Sequence, residues 1–157
     1  MVDLSDQRWG QYEGNCTDGS RVAVLLDKAY SGEIIDHWYE DLHQEICHQY
    51  TVSQVALLAA PHLVRLAKNN IELRKPLLVL VGICHAFAEG SVLDQVSADI
   101  RDEWHQSAQE SIPLLLELLA EPQPTPSDLL YLLSSFAACS GYPSLARSLE
   151  GVDYEAE

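Results

Sequence analysis

Val55-Ala56-Leu57-Leu58-Ala59-Ala60-Pro61-His62-Leu63-Val64-Arg65-Leu66 returns 52 residues later, without a gap, as Ser107-Ala108-Gln109-Glu110-Ser111-Ile112-Pro113-Leu114-Leu115-Leu116-Glu117-Leu118. Pro61 falls on Pro113, Leu63 on Leu115 and Leu66 on Leu118. At the same offset Leu77-Leu78 and Leu80 fall on Leu129-Leu130 and Leu132, and Ala86 falls on Ala138. One period earlier, Leu25-Leu26 supplies a third dileucine. Self-similarity at a period of this order marks folds in which one supersecondary unit stacks on the next. The register predicts a duplicated helical unit, with a third copy at the N-terminal end.

Outward from these segments, apolar residues recur with the 3.6-residue period of helices, and alternating strand-like runs are scarce. The expected fold is all-α, built of stacked antiparallel helix pairs. Seven helices are expected, over about 20–30, 33–48, 52–68, 71–88, 95–120, 126–140 and 143–149. Ser31-Gly32, Asn69-Asn70, Gly90 and Gly141-Tyr142-Pro143 punctuate them, and Pro122-Gln123-Pro124-Thr125-Pro126-Ser127 reads as a stiff connector whose Ser127 caps the next helix. The domain reading is an irregular segment over 1–19, a helical domain over 20–150 and an acidic tail over 151–157.

A chain of 157 residues fits one domain with its own core. Although 47% of the residues are apolar, charges and glycines break every run before the roughly 18 residues that would suggest a bilayer span. The acidic N-terminus lacks the basic, then apolar, pattern of a secretion signal. Cys16, Cys47, Cys84 and Cys139 stand far apart with no C-x-x-C pair, which fits reduced thiols in a cytoplasmic protein better than disulfides or zinc. Twenty-four acids against nine bases give a net charge of −15. Such a field repels nucleic acid and speeds encounter with a basic protein.

In the segment 33–48, Ile35, Trp38, Tyr39, Leu42 and Ile46 fall on one side of a helical wheel and form the expected core stripe. Glu33, His37, Glu40, Asp41, Gln44 and His48 fall on the other side, without a lysine or arginine among them. These six are the candidate partner-binding residues; the competing reading is an ordinary solvated face. The next helix is apolar nearly all round and is expected between layers, with kinks at Pro61 and Pro113. Arg65, Lys68, Arg74 and Lys75 gather around Asn69-Asn70, where they suit the negative end of a helix dipole. Trp38 and Trp104 follow apolar stripes into the core, whereas Trp9, in a polar segment, is the candidate for covering a groove or touching a partner.

Candidate chemistry is thin. Glu40-x-x-His43 and Glu45-x-x-His48 have the spacing of carboxylate and imidazole metal ligands, but di-iron bundles draw such pairs from separate helices. Cys84-His85 places two reactive side chains about 100° apart on a helix, too divergent for a nucleophile and its base. Phosphate-binding glycine loops, G-x-S-x-G and H-E-x-x-H are absent from the sequence. No catalytic residue, metal site or cofactor is assigned.

The run Trp38 to Leu66, with Cys47-His48-Gln49-Tyr50-Thr51-Val52 and Ala59-Ala60-Pro61-His62-Leu63, resembles a group of bacterial HEAT-like repeat proteins. In that group a helix ends in His-Gln-Gly-Thr-Val and is followed by alanines and Pro-x-Leu; here Tyr50 stands where glycine is usual, so the passage between the two helices is expected to differ. The resemblance implies an α-helical superhelix used for protein contacts, and similar small acidic proteins look like immunity proteins that neutralise antibacterial toxins. The favoured reading is thus a cytoplasmic, non-catalytic binder of a basic toxin domain, covering the toxin's active site. A general adaptor or assembly scaffold is the alternative, and a metal-binding helical enzyme is third.

Overall fold

A computed structural model describes residues 1–34, 36–122 and 125–152; Ile35, the Gln123-Pro124 part of the connector and the tail beyond Val152 lie outside the described residues. The chain is all-α. A 3-10 turn over Gln7–Gln11 precedes eight helices: α1 (Gly19–Tyr30), α2 (Trp38–Ile46), α3 (Val55–Asn69), α4 (Ile71–Phe87), α5 (Gly90–Leu93), α6 (Ala98–Ala120), α7 (Pro126–Cys139) and α8 (Pro143–Glu150). A two-residue antiparallel pair, β1 (Cys47–His48) and β2 (Thr51–Val52), joins α2 to α3.

The helix ends follow from local chemistry. Gly32 (φ +73°) closes α1: its N–H donates to Ala29 O and that of Glu33 donates to Lys28 O, satisfying two terminal carbonyls. Gly141 (φ +89°) ends α7 in the same way through Ala138 O and Ala137 O. Asn70, the single residue between α3 and α4, accepts from the N–H groups of Glu72 and Leu73. Thr125, not the expected Ser127, caps α7, with Pro126 in its first turn.

Two helix pairs form the centre. α3 packs on α4 and α6 on α7, while α3 also lies on α6 and α4 on α7, so the second pair sits over the first. The 52-residue register describes this stack. Leu63 and Leu115 are both buried, as are Leu66 with Leu118, Leu80 with Leu132 and Ala86 with Ala138. The register departs at Leu129, which is 40% exposed where Leu77 is buried. Pro61 and Pro113 lie inside helices that continue through them.

The third copy is corrected. A unit in the same register would set α1 against α4, but α1 packs on α3, α2 and the N-terminal 3-10 turn. The N-terminal segment is likewise integrated in the core: Val2 and Trp9 are buried, and the Trp9 indole donates to Asp3 O at 2.9 Å. Trp9 therefore has no face left for a partner. Trp38 and Trp104 are core residues as expected, and Trp38 Nε1 donates to Leu25 O at 2.7 Å.

The bases around the α3–α4 turn bind the layers together. Lys68 meets Glu110 at 2.6 Å, Arg74 meets Glu117 at 3.3 Å and Lys75 meets Asp128, so α3 and α4 are tied to α6 and α7. Arg65 lies over the Tyr30 ring at 5.9 Å. The predicted helix 95–120 begins at Ala98, with α5 as a separate turn before it.

Gly82 of α4 packs directly on Ser135 of α7. A Cβ added to Gly82 would fall 2.2 Å from Ser135 Cβ and 2.4 Å from its Cα, with no flexible atom to yield. Gly82→Ala is expected to destabilise the protein by about 2–3 kcal/mol, read as a fall of roughly 5–10 °C in a thermal melt; an unchanged melt would contradict this packing.

Candidate functional site

The predicted helix 33–48 is shorter at both ends. Glu33 is committed to the cap of α1, and His37, immediately before α2, holds a left-handed conformation (φ 62°). At the other end Cys47 and His48 are extended in the β pair. The six candidate residues therefore do not form one helical stripe. Glu33 and His48 lie beyond the helix, His37 precedes it, and Asp41 faces α1, where Arg21 binds it at 3.1 Å. The base missing from the local sequence is supplied by another helix.

Glu45 explains part of this arrangement. It is 2% exposed and accepts from Cys16 N–H, Thr17 N–H and the Thr17 hydroxyl at 3.0–3.2 Å, with Arg21 3.7 Å away. One carboxylate thus locks the loop before α1 onto α2. This use removes Glu45-x-x-His48 from consideration as a metal pair, and the described residues contain no group of three His, Cys, Asp or Glu side chains placed to hold a metal. Glu45→Gln turns an amide N–H₂ toward donors that need an acceptor. It is expected to cost about 2–3 kcal/mol in a denaturant melt, and full stability would show that this carboxylate is not the lock.

Glu40 and Gln44 are brought to a site. They stand on the outer side of α2 at a groove of about 540 Å³, enclosed by α2, the β pair, α4, α7 and α8. Val79, Ile83 and Cys47 contribute apolar surface, Tyr39, Tyr50 and Tyr131 supply aromatic walls, and His43 and Glu150 complete the lining. The lining contains two acids and no lysine or arginine.

Each wall is held by its neighbours. The Tyr39 hydroxyl donates to Pro76 O at 3.2 Å, and burial pushes its pKa up to about 12. Tyr50 stacks on Phe87 with 4.4 Å between centroids, yet remains 51% exposed. Gln49 (φ 49°) and Tyr50 (φ 63°) form the two central positions of a primed hairpin turn, where asparagine and glycine are the easy choices. A tyrosine there costs about 1–2 kcal/mol of backbone strain. Cys47 and Cys84 are both buried, and Cys47 also borders the groove.

Glu150, the last residue of α8, is the unusual member. Neither of its carboxylate oxygens has solvent contact or a hydrogen-bond donor among the described residues. Burial raises its pKa, an effect tempered by the nearby Ser134 hydroxyl, whose own proton goes to Ala146 O at 3.1 Å. Glu150 lines the groove together with Cys47 and Tyr50 of the β pair and its turn.

Glu40 and Gln44 were legible in the sequence as candidate binding residues, and Tyr50 as a departure from the usual turn glycine. Tyr131 and Glu150 lie 81 and 100 residues beyond Tyr50 and are joined to it only by folding.

A second cluster of polar residues is a core device. His85 stacks on Trp104 with 3.8 Å between centroids, and its Nε2 faces Ser107 Oγ at 3.2 Å. Ser107 Oγ donates to Trp104 O at 2.7 Å and so accepts from Nε2–H, the reverse of a nucleophile giving its proton to a base. Burial pushes His85 down to about 3. The unfolded chain takes up this proton near the ordinary imidazole value, so the stabilisation is present above that pH and is lost as pH falls toward 3. In an NMR titration the His85 ring signals are expected to stay at their neutral positions from pH 7.5 to 4.5; a midpoint inside that range would overturn the assignment.

No family model, curated protein or solved structure matches the chain. Fold and groove together define an all-helical chain with an acidic, tyrosine-walled groove. No helix among the described residues is long and apolar enough to cross a membrane.

Proposed function

We propose that this protein is a non-catalytic binding domain that receives a basic partner protein at the groove between α2, the β pair, α4, α7 and α8. The observation that carries this reading is the lining: aromatic walls with two acids and no lysine or arginine, on a chain of net charge −15. Aromatic side chains are the commonest anchors of protein interfaces, and a strong negative field raises the rate of encounter with a positive surface. The strain at Tyr50 supports the same reading, since backbone strain is retained where a side chain is needed in one place.

The resemblance to HEAT-like immunity proteins favours, as the partner, a basic toxin domain whose active-site cleft this acidic surface covers. A general adaptor would present the same groove to a partner that is not toxic. The test is purification of the product of a neighbouring gene, binding kinetics at low and high salt, and a growth assay with and without this chain. A toxic, basic partner whose association slows with salt, and whose toxicity this chain relieves, is the expected result. Glu40→Lys combined with Gln44→Lys is expected to slow association at least tenfold, whereas Glu33→Lys, away from the groove, leaves it within twofold. Equal effects of the two variants would remove the groove from the account.

A further inference from the structure

Within that reading, we infer that the groove is a receptor for one arginine side chain of the partner, its guanidinium stacked against Tyr50 and Tyr131 and its fork taken by the carboxylate of Glu150. The inference deepens the binding proposal and depends on it for its partner, but not for its chemistry.

Three observations converge on this ligand. First, the buried carboxylate of Glu150 has no hydrogen-bond donor among the described residues. An uncompensated buried acid is costly, and a cation supplied from outside relieves that cost. Glu150 ends α8 and lines the groove.

Second, the tyrosine rings are available as surfaces. Tyr50 rests one face on Phe87 and is half exposed, and Tyr131 is 44% exposed. A flat cation gains from aromatic faces and from a carboxylate at once, and arginine is the side chain that does both. Its guanidinium is planar, weakly hydrated and matched to a carboxylate fork, whereas the lysine ammonium is a compact, strongly hydrated charge.

Third, most lysines and arginines of the chain are engaged elsewhere. Arg8, Arg21, Lys68, Arg74, Lys75 and Arg101 each pair with an acid outside the groove. Arg147, on the same helix as Glu150, donates instead to Ala86 O and Ser144 Oγ. The groove thus lacks an internal arginine to fill it.

The test uses the full chain, ¹⁵N-labelled, titrated at low salt with the peptide acetyl-Gly-Arg-Gly-amide and with its neutral citrulline counterpart. The arginine peptide is expected to bind in the millimolar range and to shift amide signals of Tyr50, Tyr131 and Glu150, with the citrulline peptide at least tenfold weaker. Glu150→Gln removes a buried charge at nearly constant shape and should fold; it is expected to weaken arginine binding at least fivefold. Tyr50→Gly, which relieves the turn, is expected to weaken it about threefold while raising the melting temperature. Shifts spread over the acidic surface, or binding unchanged in Glu150→Gln, would overturn the inference. If arginine binding fails while Glu40→Lys with Gln44→Lys still slows the partner, the groove remains a docking site without an arginine receptor. If neither holds, both proposals fall.

Discussion

A helix that is apolar on every side has to be surrounded, and α3 sets this condition for the whole molecule. From Val55 to Ala67 only Pro61 and Arg65 escape full burial. α1, α2, α4 and α6 each take one side of it. Full burial of each leucine along its length is worth about 1.5–3 kcal/mol. Satisfying its inner surface fixes where the other helices lie, and the β pair that feeds into it is held against α4 as a result.

The polar side chains drawn into this arrangement are used as fasteners. Glu45 gathers the loop before α1 through two backbone N–H groups and a hydroxyl. His62, on α3, faces Val2 O through Nε2 at 2.8 Å and the Tyr30 hydroxyl through Nδ1 at 3.1 Å, and burial lowers its pKa. A buried polar group that has its partners specifies one arrangement, because every alternative leaves it unsatisfied. Glu150 is the exception: its carboxylate is buried without such a partner among the described residues, beside a strained tyrosine and in a groove without lysine or arginine. The site is marked by departures from the rules that the rest of the chain obeys.

The amino-acid sequence by itself determined the helical class, the stacked pairs and most of the core. Apolar period and the Pro61–Pro113 register are local patterns, and burial enforces them wherever the helices end up. It also carried the ends of α1 and α4, since glycine with a positive φ and an asparagine cap act within a few residues. Only the tertiary structure decided the rest. α1 lies on α3 instead of extending the repeat, Trp9 is buried, and Asp41 finds Arg21 across two helices. The expected acidic stripe dissolved because Glu33 is taken by one helix's cap and His48 by a hairpin, events that a helical wheel does not contain. The groove joins Tyr50 to Tyr131 and Glu150 across most of the chain. Aromatic walls and a buried acid have meaning as a site only when separate helices bring them together, and no local period records that meeting.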